Sequence, residues 1–192
     1  MKPVYLLLFF FFSFNLISIA QPVVSNGTVS NVNSRIFQCQ WQGFKNTGAG
    51  TGLFLGTDIN SGSNRVTKTG NGLYLQPGSN TVSLSYNNLT DILTATLNAN
   101  SISFTNVSGR IIGAGSTCRM NYLELLIGND KNGLISFNSV TISGQALGSF
   151  AGMGIGDIYW NITNVNFSAG FTLTGTIVLN NGNFGGGAAS YL

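Results

Sequence analysis

The side chains that could carry out acid–base or nucleophilic chemistry are few. The sequence has no histidine, so neither a Ser-His-Asp nor a Cys-His arrangement can form. A glycosidase needs two carboxylates about 5–10 Å apart. The five acidic residues are Asp58, Asp91, Glu124, Asp130 and Asp157. Because Asp91 and Asp130 stand in predicted turns, where Asp bonds to the local backbone, we predict that the chain is not an enzyme.

Aromatic side chains give the clearest indication of a binding site. Trp41, Tyr159 and Trp160 stand in a chain rich in Asn, Gln and Thr. An aromatic face can stack on a sugar ring while such polar side chains bind its hydroxyls. Tyr159 and Trp160 are adjacent and would point to opposite faces of a strand. Carbohydrate binding by these three residues is one interpretation, and burial of the aromatic rings in the core is the other.

The first 20 residues have the three parts of a secretory signal peptide. Lys2 supplies the positive charge, residues 4–12 form an apolar run, and the small residues Ser18 and Ala20 precede Gln21. This run is shorter than the about 20 residues that span a bilayer. We therefore predict a secreted or cell-surface protein with no membrane span after cleavage. The predicted organisation is a signal peptide at residues 1–20, a polar arm or edge strand at 21–34 and one domain at 35–192.

The two cysteines are Cys39 and Cys118. Export to an oxidising compartment favours a disulfide between them, and two buried free thiols are the alternative. Two thiolates without histidine supply only half of a zinc site. We therefore predict a disulfide, no metal site and no cofactor.

Charged residues make up 7% of the chain, against about a quarter in typical soluble proteins. Ser, Thr, Asn and Gly provide the polar surface instead. The basic residues are scattered, whereas nucleic-acid binding requires a cluster that neutralises several phosphates. The composition predicts no nucleic-acid partner and favours glycans, extracellular matrix or surface proteins.

From Arg35 onward, apolar and polar residues alternate with a period of two, which indicates half-buried strands. Closely spaced turns separate these runs, and no helical run exceeds two turns. We predict an all-β fold: an antiparallel β-sandwich, jelly-roll or concanavalin-like, with about eight to ten strands. The clearest alternating runs are residues 81–86, 93–97, 101–105, 123–127 and 171–179.

Turn residues at 87–91 and 128–133 predict two hairpin loops. A slip of the alternation between Phe137 and Val140 predicts a β-bulge. Residues 144–157 are rich in glycine and apolar side chains. We interpret them as a loop packed on the sandwich, with a mobile binding lip as the alternative.

The order of strand and turn residues between Leu84 and Leu179 resembles the choice-of-anchor domains of secreted bacterial surface proteins. This resemblance covers about half of the chain and implies an exported β-rich domain with no catalytic residue. We expect one departure from that family, namely the lack of a sorting tail after the domain. The first run is also similar to concanavalin-like lectin and laminin-G sandwiches, which suggests glycan or matrix binding by analogy of fold. The resemblance to choice-of-anchor domains is carried by residues 84–97, 122–127, 136–148 and 170–177.

Taken together, these features favour a secreted or cell-surface β-sandwich that is not catalytic and has a structural or adhesive role. The first alternative is a carbohydrate-binding module that uses exposed aromatic residues. A polysaccharide-active enzyme requires two of the five acids to converge in a cleft. A self-assembling subunit would use exposed sheet edges for its contacts.

Overall fold

The computed structural model describes residues 21–27, 37–42, 52–56, 65–69, 75–109, 123–129, 134–153, 156–180 and 189–191. Within these residues the chain forms thirteen strands, more than the sequence predicts, and a short 3-10 helix, Phe167–Ala169. The strands are β1 Val23–Asn26, β2 Gln38–Gln42, β3 Gly52–Gly56, β4 Arg65–Thr69, β5 Gly78–Asn87, β6 Ile92–Leu97, β7 Asn100–Thr105, β8 Leu123–Asn129, β9 Leu134–Ile142, β10 Gln145–Met153, β11 Gly156–Thr163, β12 Phe171–Asn180 and β13 Ala189–Tyr191.

The strands form two sheets. One has seven strands in the order β1-β11-β8-β13-β2-β3-β4, and the other has six in the order β10-β9-β12-β5-β6-β7. Every pairing is antiparallel. Apolar side chains of both sheets meet in one core, so the predicted all-β sandwich is confirmed.

The period-two alternation defines which side of each strand faces this core. In β5, Val82, Leu84 and Tyr86 are buried, while Ser83 and Ser85 lie on the other side. Burial of the apolar set removes its surface from water, which is the main favourable term in folding. The same division holds in three further strands of the six-stranded sheet: β6, β7 and β12.

The predicted bulge lies in β9. Phe137 and Val140 are both buried, although residues three apart on a regular strand face opposite ways. Ser139, between them, has a φ of 52°, and the pairing of β9 with β12 shifts between Thr174 and Thr176. The strand β9 therefore contains one extra residue, a β-bulge, which allows Phe137 and Val140 to face the core on either side of it.

Two of the predicted loops were wrong. Residues 128–133 do not form a hairpin loop, because β8 ends in the seven-stranded sheet and β9 begins in the six-stranded sheet. The segment instead connects the two sheets, and residues 130–133 lie outside the described residues. Residues 144–157 are not a loop, because most of them form β10, which pairs with β9 through a turn at Ser143 and Gly144 with φ values of 48° and 82°.

The hairpin loop at 87–91 is confirmed. Asn87 ends β5, and its Oδ1 accepts hydrogen bonds from the backbone N–H groups of Leu89 at 2.9 Å and Thr90 at 3.2 Å. The Asn87 side chain therefore accepts hydrogen bonds from two backbone N–H groups of the turn, as Asn side chains commonly do.

The described part of the N-terminal arm is an edge strand. Strand β1 pairs with β11, and the Asn164 Nδ2 donates to the backbone oxygen of Gln21 at 2.7 Å. The predicted signal peptide and residues 28–34 lie outside the described residues. Within the part of the chain that is described, no helix has the length and apolar character needed to cross a membrane.

Candidate functional site: the outer face of the six-stranded sheet

Trp41 lies in the core between the two sheets. It is 1% exposed, and its Nε1–H donates to the backbone oxygen of Thr96 at 2.8 Å. Trp41 belongs to β2 and Thr96 to β6, so this hydrogen bond joins the two sheets. The indole N–H needs a partner when it is buried, and the carbonyl supplies one. Trp41 therefore has no ring face exposed for a sugar.

Trp160 is also a core residue. It is 8% exposed, and its ring centroid lies 5.3 Å from that of Phe150. The two rings come from β11 and β10, on opposite sheets. The prediction that Trp160 stacks on a ligand fails for the same reason as for Trp41: the indole fills the space between the sheets.

Tyr159 is half-buried on β11. It precedes Trp160 and therefore points to the opposite, outer face of the seven-stranded sheet. Two strands, β8 and β13, lie between β11 and β2. The structure consequently does not bring Trp41, Tyr159 and Trp160 into one site.

Cys39 is a free thiol that is 1% exposed. The predicted disulfide is therefore wrong, because the Cys39 side chain points into the apolar core beside Trp41 and has no sulfur partner there. Cys118 lies outside the described residues. Burial raises the pKa of the Cys39 thiol far above its ordinary value. A buried thiol that stays protonated is a poor nucleophile and a poor metal ligand.

This burial predicts that Cys39 does not react with alkylating reagents in the folded protein. The test is peptide mapping after iodoacetamide treatment without reductant, once in buffer and once in urea. We expect the Cys39 peptide to be alkylated only in urea. A Cys39 peptide that is alkylated in urea only after reduction would instead restore the disulfide.

The Asp91 carboxylate accepts several hydrogen bonds at one end of the six-stranded sheet. Its Oδ1 accepts hydrogen bonds from the Ser108 N–H at 2.8 Å and the Tyr86 hydroxyl at 3.1 Å, and its Oδ2 accepts from the Ser108 hydroxyl at 2.8 Å. Partial burial alone would raise the pKa of Asp91, but these bonds and one from the Val107 N–H hold it below its ordinary value of 3.8. Asp91 therefore fixes the helical turn that begins at Val107.

This lowered pKa sets a direction for the effect of acid. Because the pKa of Asp91 is lower in the folded protein than in the unfolded chain, the ionised carboxylate stabilises the fold at pH values above 3.8. This stabilisation is lost as the pH falls toward the lower pKa of the folded protein. We expect Asp91→Asn to lower the thermal midpoint at neutral pH and the difference from wild type to shrink between about pH 5 and about pH 2. Asn tolerates the positive φ of 56° at this position. Equal pH dependence of both proteins, followed by circular dichroism, would contradict this assignment.

Two of the other acids lie within the described residues, and both belong to the seven-stranded sheet. Glu124 lies on β8 in the seven-stranded sheet, and Asp157 is the second residue of β11 in the same sheet. Asp58 and Asp130 lie outside the described residues. No group of three His, Cys, Asp or Glu residues capable of holding a metal is found in the described parts of the chain.

The outer side of the six-stranded sheet carries a regular array of hydroxyl groups. Directly opposed residues of neighbouring strands form a first row of five hydroxyls across five strands: Ser101, Thr96, Ser83, Thr174 and Thr141. A second row runs beside it: Ser103, Thr94, Ser85 and Thr172. We refer to these nine residues as the hydroxyl face.

The side chains of the hydroxyl face are half-buried or exposed, and some bond to each other. The hydroxyls of Thr141 and Thr174 are 2.9 Å apart, as are those of Thr94 and Ser103. Strands about 4.8 Å apart make the first row roughly 19 Å long, and a two-residue step places the second row roughly 6.8 Å away. The face is therefore a lattice of groups that both donate and accept hydrogen bonds.

The described strands that carry this lattice have no charged residue. The six strands of the sheet contain no Asp, Glu, Lys or Arg. The sequence signal was present in segments such as Thr172–Thr176 and Ser83–Ser85, where every second residue carries a hydroxyl. These residues are recognisable in the sequence as the solvent side of strands, but the sequence does not show that they align in rows.

A scan of protein-family models and a search of curated proteins found no match to the chain. The resemblance to choice-of-anchor domains stays a prediction.

Proposed function

We propose that the chain is a secreted or cell-surface β-sandwich with an adhesive role and no catalytic activity, and that the hydroxyl face is its contact surface. The observation that carries this proposal is the register that aligns nine Ser and Thr side chains in two rows on a sheet without charged residues. The N-terminal segment supports the extracellular setting, since it has the parts of a signal peptide.

An adhesive surface differs from an active site in what it requires. Catalysis depends on a few groups with matched pKa values held against a reacting atom, and the sequence contains no histidine for that purpose. Adhesion depends on many modest contacts spread over an area. The hydroxyl face offers such contacts across five strands, and the bound carboxylate of Asp91 lies outside its two rows.

The extracellular setting is tested by producing the full chain with residues 1–20 in a bacterial host and locating the product. We expect it outside the cytoplasm with Gln21 as its first residue. The variant Ala20→Arg keeps the apolar run but removes the small residue before the cleavage point, so its product should retain the first 20 residues. A wild-type chain that stays in the cytoplasm and still begins at the original N-terminus would contradict the proposal.

The adhesive role is tested separately on cells that display the chain. We compare their attachment to surfaces with that of cells displaying a version in which Ser83 on the hydroxyl face is replaced by lysine. Attachment that depends on the chain and falls with Ser83→Lys supports the proposal. Equal attachment by cells with and without the chain would contradict it.

A further inference from the structure

We propose that the hydroxyl face binds a single chain of an uncharged polysaccharide, laid across the strands along the row from Ser101 to Thr141. This inference rests on the proposed function and adds the chemical class of the ligand. It follows from two properties of the face, its neutrality and its hydroxyl lattice, and from the twist that sheets generally have.

Neutrality selects against charged ligands. The six described strands contain no Lys or Arg, so they provide nothing to offset the desolvation of a phosphate, sulfate or carboxylate. These strands also contain no Asp or Glu that could pair with a cationic ligand. The charge-free strands of the six-stranded sheet therefore match a ligand that is itself polar and neutral.

The hydroxyl lattice matches a polymer that carries hydroxyls along its length. Each Ser or Thr hydroxyl can donate one hydrogen bond and accept two. The rows can therefore pair with sugar hydroxyls that present either a donor or an acceptor, directly or through a bridging water. Because Trp41 and Trp160 are buried, the contact lacks stacking by these rings and depends on the number of hydrogen bonds.

The twist of the sheet decides between a flexible chain and a flat solid. Neighbouring strands in sheets typically rotate by about 20–25° relative to each other, so we expect hydroxyls on five strands to lie out of a common plane. A planar crystalline surface, including ice, would touch only a few of them at once. A single polysaccharide chain can bend to follow the row from Ser101 through Ser83 to Thr141.

The experiment measures binding of the full chain to immobilised dextran, galactomannan and mixed-linkage β-glucan by surface plasmon resonance, with alginate as a polyanionic control. We expect binding to at least one neutral polymer that changes by less than about twofold between about 50 mM and about 500 mM sodium chloride. Disaccharides of the same sugars should compete at least about tenfold less well than the polymer. Any binding to alginate should disappear with salt, because the chain from Gln21 onward has seven Lys or Arg residues against five Asp or Glu residues and is therefore weakly positive.

Three variants locate the contact. Ser83 lies in the middle of the first row, opposite Thr96 and Thr174, so Ser83→Lys should weaken binding by about tenfold. The pair Thr96→Val and Thr174→Val removes two hydroxyls while it keeps the branched shape, and it should also weaken binding. The control is Thr163→Lys on β11 of the other sheet, which should bind like wild type. Unfolding midpoints verify that each variant is folded.

Several outcomes would overturn the inference. Binding to none of the three neutral polymers, or binding that salt abolishes, would exclude an uncharged polysaccharide. A disaccharide that competes as well as the polymer would exclude the long row. Sedimentation that shows a dimer broken by Ser83→Lys would assign the face to a second copy of the chain. Each of these results leaves the location test of the Ala20→Arg variant unaffected, so failure of the ligand class and failure of export remain distinguishable.

Discussion

Trp41→Ala is expected to lower the free energy of unfolding by about 3–5 kcal/mol, the usual cost of emptying a large aromatic site in a core. Trp41 is 1% exposed and among the largest fully buried side chains of the described residues. The substitution also removes the hydrogen bond to the Thr96 oxygen, which joins the two sheets. Urea denaturation followed by circular dichroism measures the loss.

A second variant separates the two contributions of Trp41. Trp41→Phe keeps most of the apolar volume but leaves the Thr96 carbonyl without its indole partner, so we expect a smaller loss than for alanine, about 1–3 kcal/mol. If Trp41→Ala instead left the unfolding free energy unchanged and weakened glycan binding, the indole would be a surface ligand contact and its burial would be disproved.

Gly175→Ala is expected to cost about 1–3 kcal/mol by overpacking. Gly175 lies in β12 opposite the bulge of β9, and the ring of Phe137 occupies the space where a Cβ would stand. A Cβ built on Gly175 would overlap the Cε2 atom of the Phe137 ring, because two carbon atoms cannot approach that closely. Either the ring or the strand would have to move, and the unfolding midpoint in urea reports that cost.

The matched test is a double-mutant cycle with Phe137→Leu, which removes the ring at the point of conflict. We expect the alanine at position 175 to cost clearly less in the Phe137→Leu background than in wild type, with a coupling of about 0.5–3 kcal/mol. Thr174→Ala, on the neighbouring outward position, is the control and should have a small effect in both backgrounds. Strict additivity of Gly175→Ala and Phe137→Leu would show that the ring contact does not limit this site.

The sequence predicts individual strands well because burial on one face leaves a local pattern. The alternation of Val82, Leu84 and Tyr86 with Ser83 and Ser85 identified β5 and its inward face, and the phase slip after Phe137 identified the bulge. The same alternation did not identify β10 as a strand. Glycine and alanine occupy several positions there, so the period-two pattern of this strand was too weak to recognise.

The arrangement of strands in sheets depends on contacts that are distant in sequence. The turn residues at 128–133 indicate that a strand ends, but they do not determine which sheet receives the next one. Around Trp160 the sequence likewise does not show which face of the strand points to the core, because Tyr159 and Trp160 are both aromatic. The hydroxyl face shows the same limit, since each strand displays its own Ser and Thr while only the register between strands aligns them into rows.

The position of β12 has a consequence for when the domain can fold. This strand is among the last in the chain, yet it lies between β9 and β5 in the middle of the six-stranded sheet. The N-terminal strand β1 likewise cannot pair until its distant partner β11 has been synthesised. Pairings between such distant segments form slowly, because loop closure precedes any gain from contact. If residues 1–20 direct export, as we propose, this topology keeps the six-stranded sheet incomplete until β12 has been synthesised, and thus favours a chain that crosses the membrane before it folds.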